Sequence, residues 1–67
     1  MILREARRRA GVTQAALAAK LGVNPMTVSG YERGTRNPPA WRVNEIETAL
    51  GVAPGSIDWP RPEGESA

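Results

Sequence analysis

The stretch Thr13–Gly34, TQAALAAKLGVNPMTVSGYERG, decides how this chain folds. Thr13 and Asn24 are helix N-cap types, because a short side-chain oxygen can accept one of the first N–H groups that a helix leaves unpaired. Pro25 comes next, at a first helical position where its missing N–H costs nothing and its φ is already helical. An apolar residue precedes each cap, Val12 and Val23. Another stands at the fourth helical position of each helix, Leu17 and Val28, which is the spacing of a hydrophobic staple. Gly22, directly after Leu21, supplies the left-handed residue that stops the first helix and turns the chain. Helix, glycine turn and helix within about twenty residues is the helix-turn-helix plan.

The second helix of the unit, Asn24–Arg33, has two unlike sides. At 100° per residue, Tyr31 falls about 60° from Val28, so the two share an apolar face. Met26, Ser29, Gly30 and Arg33 fall about 100–200° away, on the opposite face. Buried Val and Tyr backed by small, adaptable and cationic residues suit a helix that enters a DNA groove. Gly34 ends this helix, and Thr35-Arg36-Asn37-Pro38-Pro39 reads as a loop. Arg36 there could reach a phosphate or simply be solvated.

Outward from this unit, Ile2–Ala10 reads as a first helix with Leu3, Ala6 and Ala10 as its apolar stripe and Gly11 as its stop. Arg7, Arg8 and Arg9 lie in its last turn, where cations favour the helix dipole. Within Thr13–Leu21, Leu17, Ala18 and Leu21 are the core candidates. Gln14 opens that helix beside free backbone N–H groups, an end that suits a phosphate oxygen. A tolerated polar first-turn residue is the simpler reading of the same position. Ala40–Leu50 reads as a fourth helix, started by the proline pair and stopped by Gly51, with Val43, Ile46 and Leu50 as its stripe and Ala49 beside it. Glu45 and Glu47 read as a solvated edge. Trp41 lies off the stripe, which fits a dimer contact or packing over the loop. Val52 and Pro54–Asp58 are expected to form one last helical turn, with Ile57 and Trp59 closing the core. Pro60–Ala67, rich in Pro, Gly and charge, is expected to be a disordered tail, leaving residues 1–59 as the folded domain.

Sixty-seven residues are expected to form one small domain, with no separate sensing or proteolytic unit. The net charge of +2 is unevenly placed. Residues 1–42 hold eight basic groups against Glu5 and Glu32, a net of +6, whereas residues 43–67 carry −4. Such a split suits one end that faces a polyanion, although an Arg-rich solvated surface has the same composition. The chain has no Cys and no His, so disulfides, thiolate metal sites and the usual general bases are excluded. No catalytic residue, metal site or cofactor is expected, and the chain reads as a non-enzyme. No apolar run approaches the roughly 20 residues needed to span a membrane. The N-terminus has charges within its apolar pattern, unlike a signal peptide, so a cytoplasmic protein is expected.

LREARRRAGVTQAALAAKLGVNPMTVSGYERGTRNPP, followed by VNEIETALGV, resembles the lambda-repressor/Cro-like helix-turn-helix family, also called the xenobiotic-response-element type. The T-Q-x-x-L-A-x-x-L-G-V run, the Y-E-R-G close and the final A-L-G-V carry the resemblance jointly, over about Leu3–Ile57. It implies an all-α domain of five helices, with the helix-turn-helix at the second and third, that binds operator DNA as a two-fold dimer. By the same resemblance Thr13 and Gln14 anchor phosphates. Pro25, Met26, Thr27, Ser29 and Gly30 hold the positions that read bases or line the groove, with Asn24 at their head. Arg33, Arg36 and Asn37 hold backbone or groove-edge positions. Arg7 and Glu32 match a helix-to-helix ion pair, and Trp41, Pro54, Ile57 and Trp59 match regions that form dimer interfaces.

One departure matters. Strong readers in the family tend to carry Gln, Arg or Asn where this chain has Pro25, Met26 and Gly30. Proline cannot donate, methionine offers only apolar contact such as to a thymine methyl, and glycine offers only close approach. Direct reading then falls to Thr27, Ser29, Arg33 and Arg36, with DNA shape and dimer spacing supplying the rest. The expected function is a small dimeric transcriptional repressor with moderate sequence discrimination, of phage or prophage, toxin–antitoxin or autoregulatory type. Its partners are a double-stranded inverted-repeat operator and a second copy of itself, with no membrane and no small-molecule ligand. The alternative is a protein-interaction module that keeps the fold with weak or non-specific DNA binding.

Overall fold

Four helices build the described part of the chain, residues 1–60 of the computed structural model: α1 (Leu3–Arg9), α2 (Gln14–Leu21), α3 (Pro25–Arg33) and α4 (Ala40–Leu50). The cap residues act as their types require. Thr13 Oγ1 accepts from the Ala16 N–H at 3.0 Å, and Asn24 Oδ1 accepts from the Met26 N–H at 2.8 Å. At the turn between α2 and α3, Gly22 has a φ of 71°, open to glycine without the Cβ clash that other residues meet. That backbone lets the Gly22 N–H reach the Ala19 carbonyl at 3.3 Å and the Val23 N–H reach the Ala18 carbonyl at 2.9 Å, the paired bonds of a Schellman close.

The core comprises Leu3, Ala6, Leu17, Ala18, Leu21, Val28, Tyr31, Ile46, Leu50 and Ile57, with Val12, Val23, Ala49, Val52 and Trp59 packed partly against it. Each fully buried Leu, Ile or Val contributes about 1.5–3 kcal/mol relative to exposure. Both stapling valines thus do pack inward. α2 lies against α3 and α4, and α1 against α3, so α2 is the central strut and α3 keeps one side free.

Several expectations are corrected. The helices number four, because Pro54–Asp58 is not helical. The Ser56 N–H instead reaches the Ala53 carbonyl at 3.1 Å, and Gly55 has a φ of 79°. Pro followed by a left-handed Gly is the signature of a type II turn, which a helix cannot continue through. Beyond it the chain runs extended, forming a parallel bridge between Ile2 and Asp58. The Asp58 N–H donates to the Met1 carbonyl at 2.7 Å, and the Met1 amino group donates to Ser56 O at 3.1 Å and Asp58 Oδ2 at 2.9 Å. Glu47 is not on a solvated edge. It is 5% exposed, and its Oε2 accepts from the Gly55 N–H at 2.7 Å. Val43, one turn before Glu47 on α4, is only half-buried and lies outside the core. Ala10 is exposed, since it follows the last residue of α1 where the chain already turns. Pro60, assigned above to the tail, is half-buried against Gly34; residues 61–67 of that expected tail lie outside the described residues.

Candidate nucleic-acid interface

The surface opposite the core on α3 is built from its sequence pattern. With Val28 and Tyr31 drawn inward, the positions about half a turn away must face outward. Met26 is 73% exposed, Arg33 is exposed, and Thr27 and Ser29 are half-buried. Asn24 and Pro25 are exposed at the head of the helix, and Arg36 and Asn37 in the loop after it. Among the described residues Arg33 and Arg36 have no ion-pair partner.

Behind this surface sits the expected ion pair. Arg7 Nε donates to Glu32 Oε2 at 2.7 Å, with side chains only 12% and 8% exposed. Arg7 Nη1 also donates to the Val12 carbonyl at 2.9 Å, and Gln14 Nε2 donates to Glu32 Oε1 at 3.1 Å. A charge this dry is stable only with partners on several sides, which this network supplies. It clamps α1, the start of α2 and the end of α3 together. Arg7 is therefore an internal strut. The Gln14 side chain is held by Glu32 through one of its two amide N–H donors.

Above the network lies a notch of about 290 Å³ lined by Ile2, Arg4, Arg7, Gln14, Ser29, Glu32 and Arg33. It brings together three residues expected from sequence to meet DNA, Gln14, Ser29 and Arg33. Arg4, which sequence reasoning passed over, stands beside them. The signal for it was its place one turn before Arg7 on α1. Thr13, exposed at the start of α2, has its hydroxyl oxygen engaged by the helix cap. Gly30 is on the outward side yet buried, covered by Thr35 and the stem of Arg36, and so is not open to a groove directly.

The expected dimer residues separate into two groups. Ile57 is buried in the core, and Trp59 is half-buried, its ring edge-on to Tyr31 at 6.4 Å and 85°. Ile57 belongs to the protomer's own core, and Trp59 packs partly against it. Trp41 is 59% exposed, and Pro54 is exposed. The Arg42 guanidinium lies 4.5 Å above the Trp41 ring. The same Arg42 donates from Nη1 to the Leu21 carbonyl at 3.0 Å and to Glu45 at 2.7 Å. It thus places a cation at the C-terminal end of α2, where the helix dipole favours one. Among the described residues no helix is long and apolar enough to cross a membrane.

A family model described as helix-turn-helix matches residues 3–57. An uncharacterized HTH-type transcriptional regulator, y4dJ, of Sinorhizobium fredii is 37% identical over 57 residues, covering 85% of this chain and 74% of that protein. Among solved structures, the restriction-modification controller protein C.AhdI from Aeromonas hydrophila superimposes with a TM-score of 0.72 at 38% identity, over 78% of this chain and 79% of that one.

Proposed function

The chain belongs to the helix-turn-helix family, lambda-repressor/Cro-like in type, and from that premise we propose that it is a dimeric repressor that occupies an inverted-repeat operator. Regulation through DNA binding is the family's role, carried by a protein that is not an enzyme. The observation that carries the finer reading is the outward face of α3. It sets Met26, Ser29 and Arg33 away from the core, and it is held by the Arg7–Glu32–Gln14 network. A helix that ends in Arg33, with Arg36 in the loop after it and neither in an ion pair among the described residues, is suited to enter a major groove while cations meet phosphates. The backbone N–H groups at the start of α2, beside Thr13, would meet a phosphate as helix N-termini do. Asn24, Pro25, Met26, Thr27 and Ser29 would line the groove, and Arg33, Arg36 and Asn37 would reach its edge. With few bidentate readers on α3, discrimination is moderate and depends on DNA shape and half-site spacing.

Two copies would dock through the Trp41 and Pro54 surface together with the half-buried Trp59, setting two half-sites about one helical turn apart, ~34 Å. Its type would be that of a phage, prophage, toxin–antitoxin or similar autoregulator, a reading that the likeness to a restriction-modification controller protein supports. The test is a titration of labelled inverted-repeat DNA across a salt series. Affinity should fall linearly on a log–log plot with salt, with a slope set by the number of phosphates contacted. Absence of binding at low salt overturns the proposal.

The exposed Trp41, stacked with Arg42, favours a second reading, a protein-interaction module with only weak or non-specific DNA binding. Paired variants separate the two. If Trp41→Ala abolishes activity while Arg33→Ala leaves every DNA complex unchanged, the interaction module is the better account.

A further inference from the structure

The loop that follows α3 does something its sequence does not announce. Gly30 lies on the far side of α3 from Val28, so a side chain there would point away from the core. That direction is already occupied. A Cβ on Gly30 would stand 3.0 Å from both Cγ and Cδ of Arg36 and 3.3 Å from Thr35 Oγ1. The loop is also pinned by its backbone, since the Gly30 carbonyl accepts from the N–H groups of Gly34 at 3.0 Å, Thr35 at 3.0 Å and Arg36 at 3.3 Å. The Thr35 hydroxyl donates to the same oxygen at 3.4 Å. The stem of Arg36 therefore lies across the outer surface of the helix, in the volume a side chain at position 30 would take. Its neighbours one turn away on α3 are Met26, Thr27 and Arg33.

We propose that Arg36 is the surrogate side chain of position 30, and that its guanidinium reads a guanine in the major groove rather than a phosphate. This rests on the DNA-binding reading given above. Met26 offers only apolar contact and Pro25 no donor, so a long polar group laid on this face is the strongest available reader. Arginine is suited to the task, because its planar fork donates two parallel hydrogen bonds to guanine O6 and N7. A stem held against Gly30 also loses less side-chain freedom on binding than a free loop arginine does. Glycine at position 30 then favours specificity, since a Cβ there would require the Arg36 stem to give by a few tenths of an ångström.

The experiment selects bound sequences from a random duplex pool with the wild-type protein, Arg36→Lys, Arg36→Ala and Gly30→Ala, followed by titration of the selected site and its single-base variants. Wild type should select a guanine at one position of each half-site. Arg36→Lys keeps the charge but not the fork, and should lower the preference for that guanine about tenfold while other positions and the salt slope are kept. Gly30→Ala should weaken the same preference and no other, with thermal melting confirming that the helix is intact, and Gly30→Ala combined with Arg36→Ala should lose no more than Arg36→Ala alone. Two outcomes overturn the proposal alone: an unchanged guanine preference in Arg36→Lys, or an Arg36→Ala protein weakened uniformly across sequences with the salt slope smaller by about one, as for a phosphate contact. A wild-type protein that selects nothing at low salt overturns the DNA-binding reading itself, and this proposal with it.

Discussion

The helix-turn-helix, Thr13–Gly34, and the segment after α4, residues 51–60, are both firmly attached to the core, but by different means. In the first, almost every device is local. Thr13 caps Ala16, Asn24 caps Met26, and Gly22 closes the turn on Ala18 and Ala19. The second is held by groups remote in sequence. Glu47 caps the Gly55 turn, Met1 pairs with Ser56 and Asp58, Tyr31 meets the Trp59 ring, and Pro60 covers Gly34. The difference separates structure that a short peptide pattern encodes from structure that requires the rest of the fold to be present.

Four variants test that separation, in order of expected effect. The largest is Glu32→Gln. It removes the charge opposite Arg7, leaving a nearly buried guanidinium unpaired at the point where the helix-turn-helix depends on α1, and should cost about 3 kcal/mol. The urea midpoint should fall with an unchanged m value. Glu47→Ala should cost about 1.5 kcal/mol, since the Gly55 N–H loses a charge-assisted bond. Hydrogen exchange should quicken at Gly55 and Asp58 while amides of Thr13–Gly34 keep their protection; equal loosening of both would erase the distinction drawn here. Asn24→Ala removes a purely local cap and should cost about 1 kcal/mol in thermal melts, with the effect centred on α3. Trp41→Ala should change protomer stability by less than about 0.5 kcal/mol, yet shift sedimentation toward the monomer. Unaltered self-association would remove Trp41 from the dimer surface.

The legibility of the site follows the same division. The Arg7–Glu32 pair came from the family pattern and is present as expected. Ser29 and Arg33 face outward as the helical wheel requires, because periodicity fixes which side of a helix a residue occupies. The wheel also set Gly30 outward, but it cannot say what a loop five residues later lays over it. Gln14 was readable as a first-turn residue, and its hold on Glu32 was not. Arg42, counted at first only as one of the basic groups, turns out to close the end of α2. Arg4 entered the notch only through the packing of α1 on α3.

Taken alone, the amino-acid sequence determined the four helices, their caps and stops, most of the core and the family, because each depends on residues within one or two helical turns. Tertiary structure decided the rest. The fifth helix gave way to a turn because Gly55 takes a left-handed φ and its N–H meets a carboxylate on α4, while the chain beyond it pairs with the N-terminus. Glu47 went inward because that turn needs an acceptor. Arg36 came to rest on α3 because Gly30 leaves room for it. Each of these outcomes is a contact between groups that no local pattern relates, so only the packed chain could settle it.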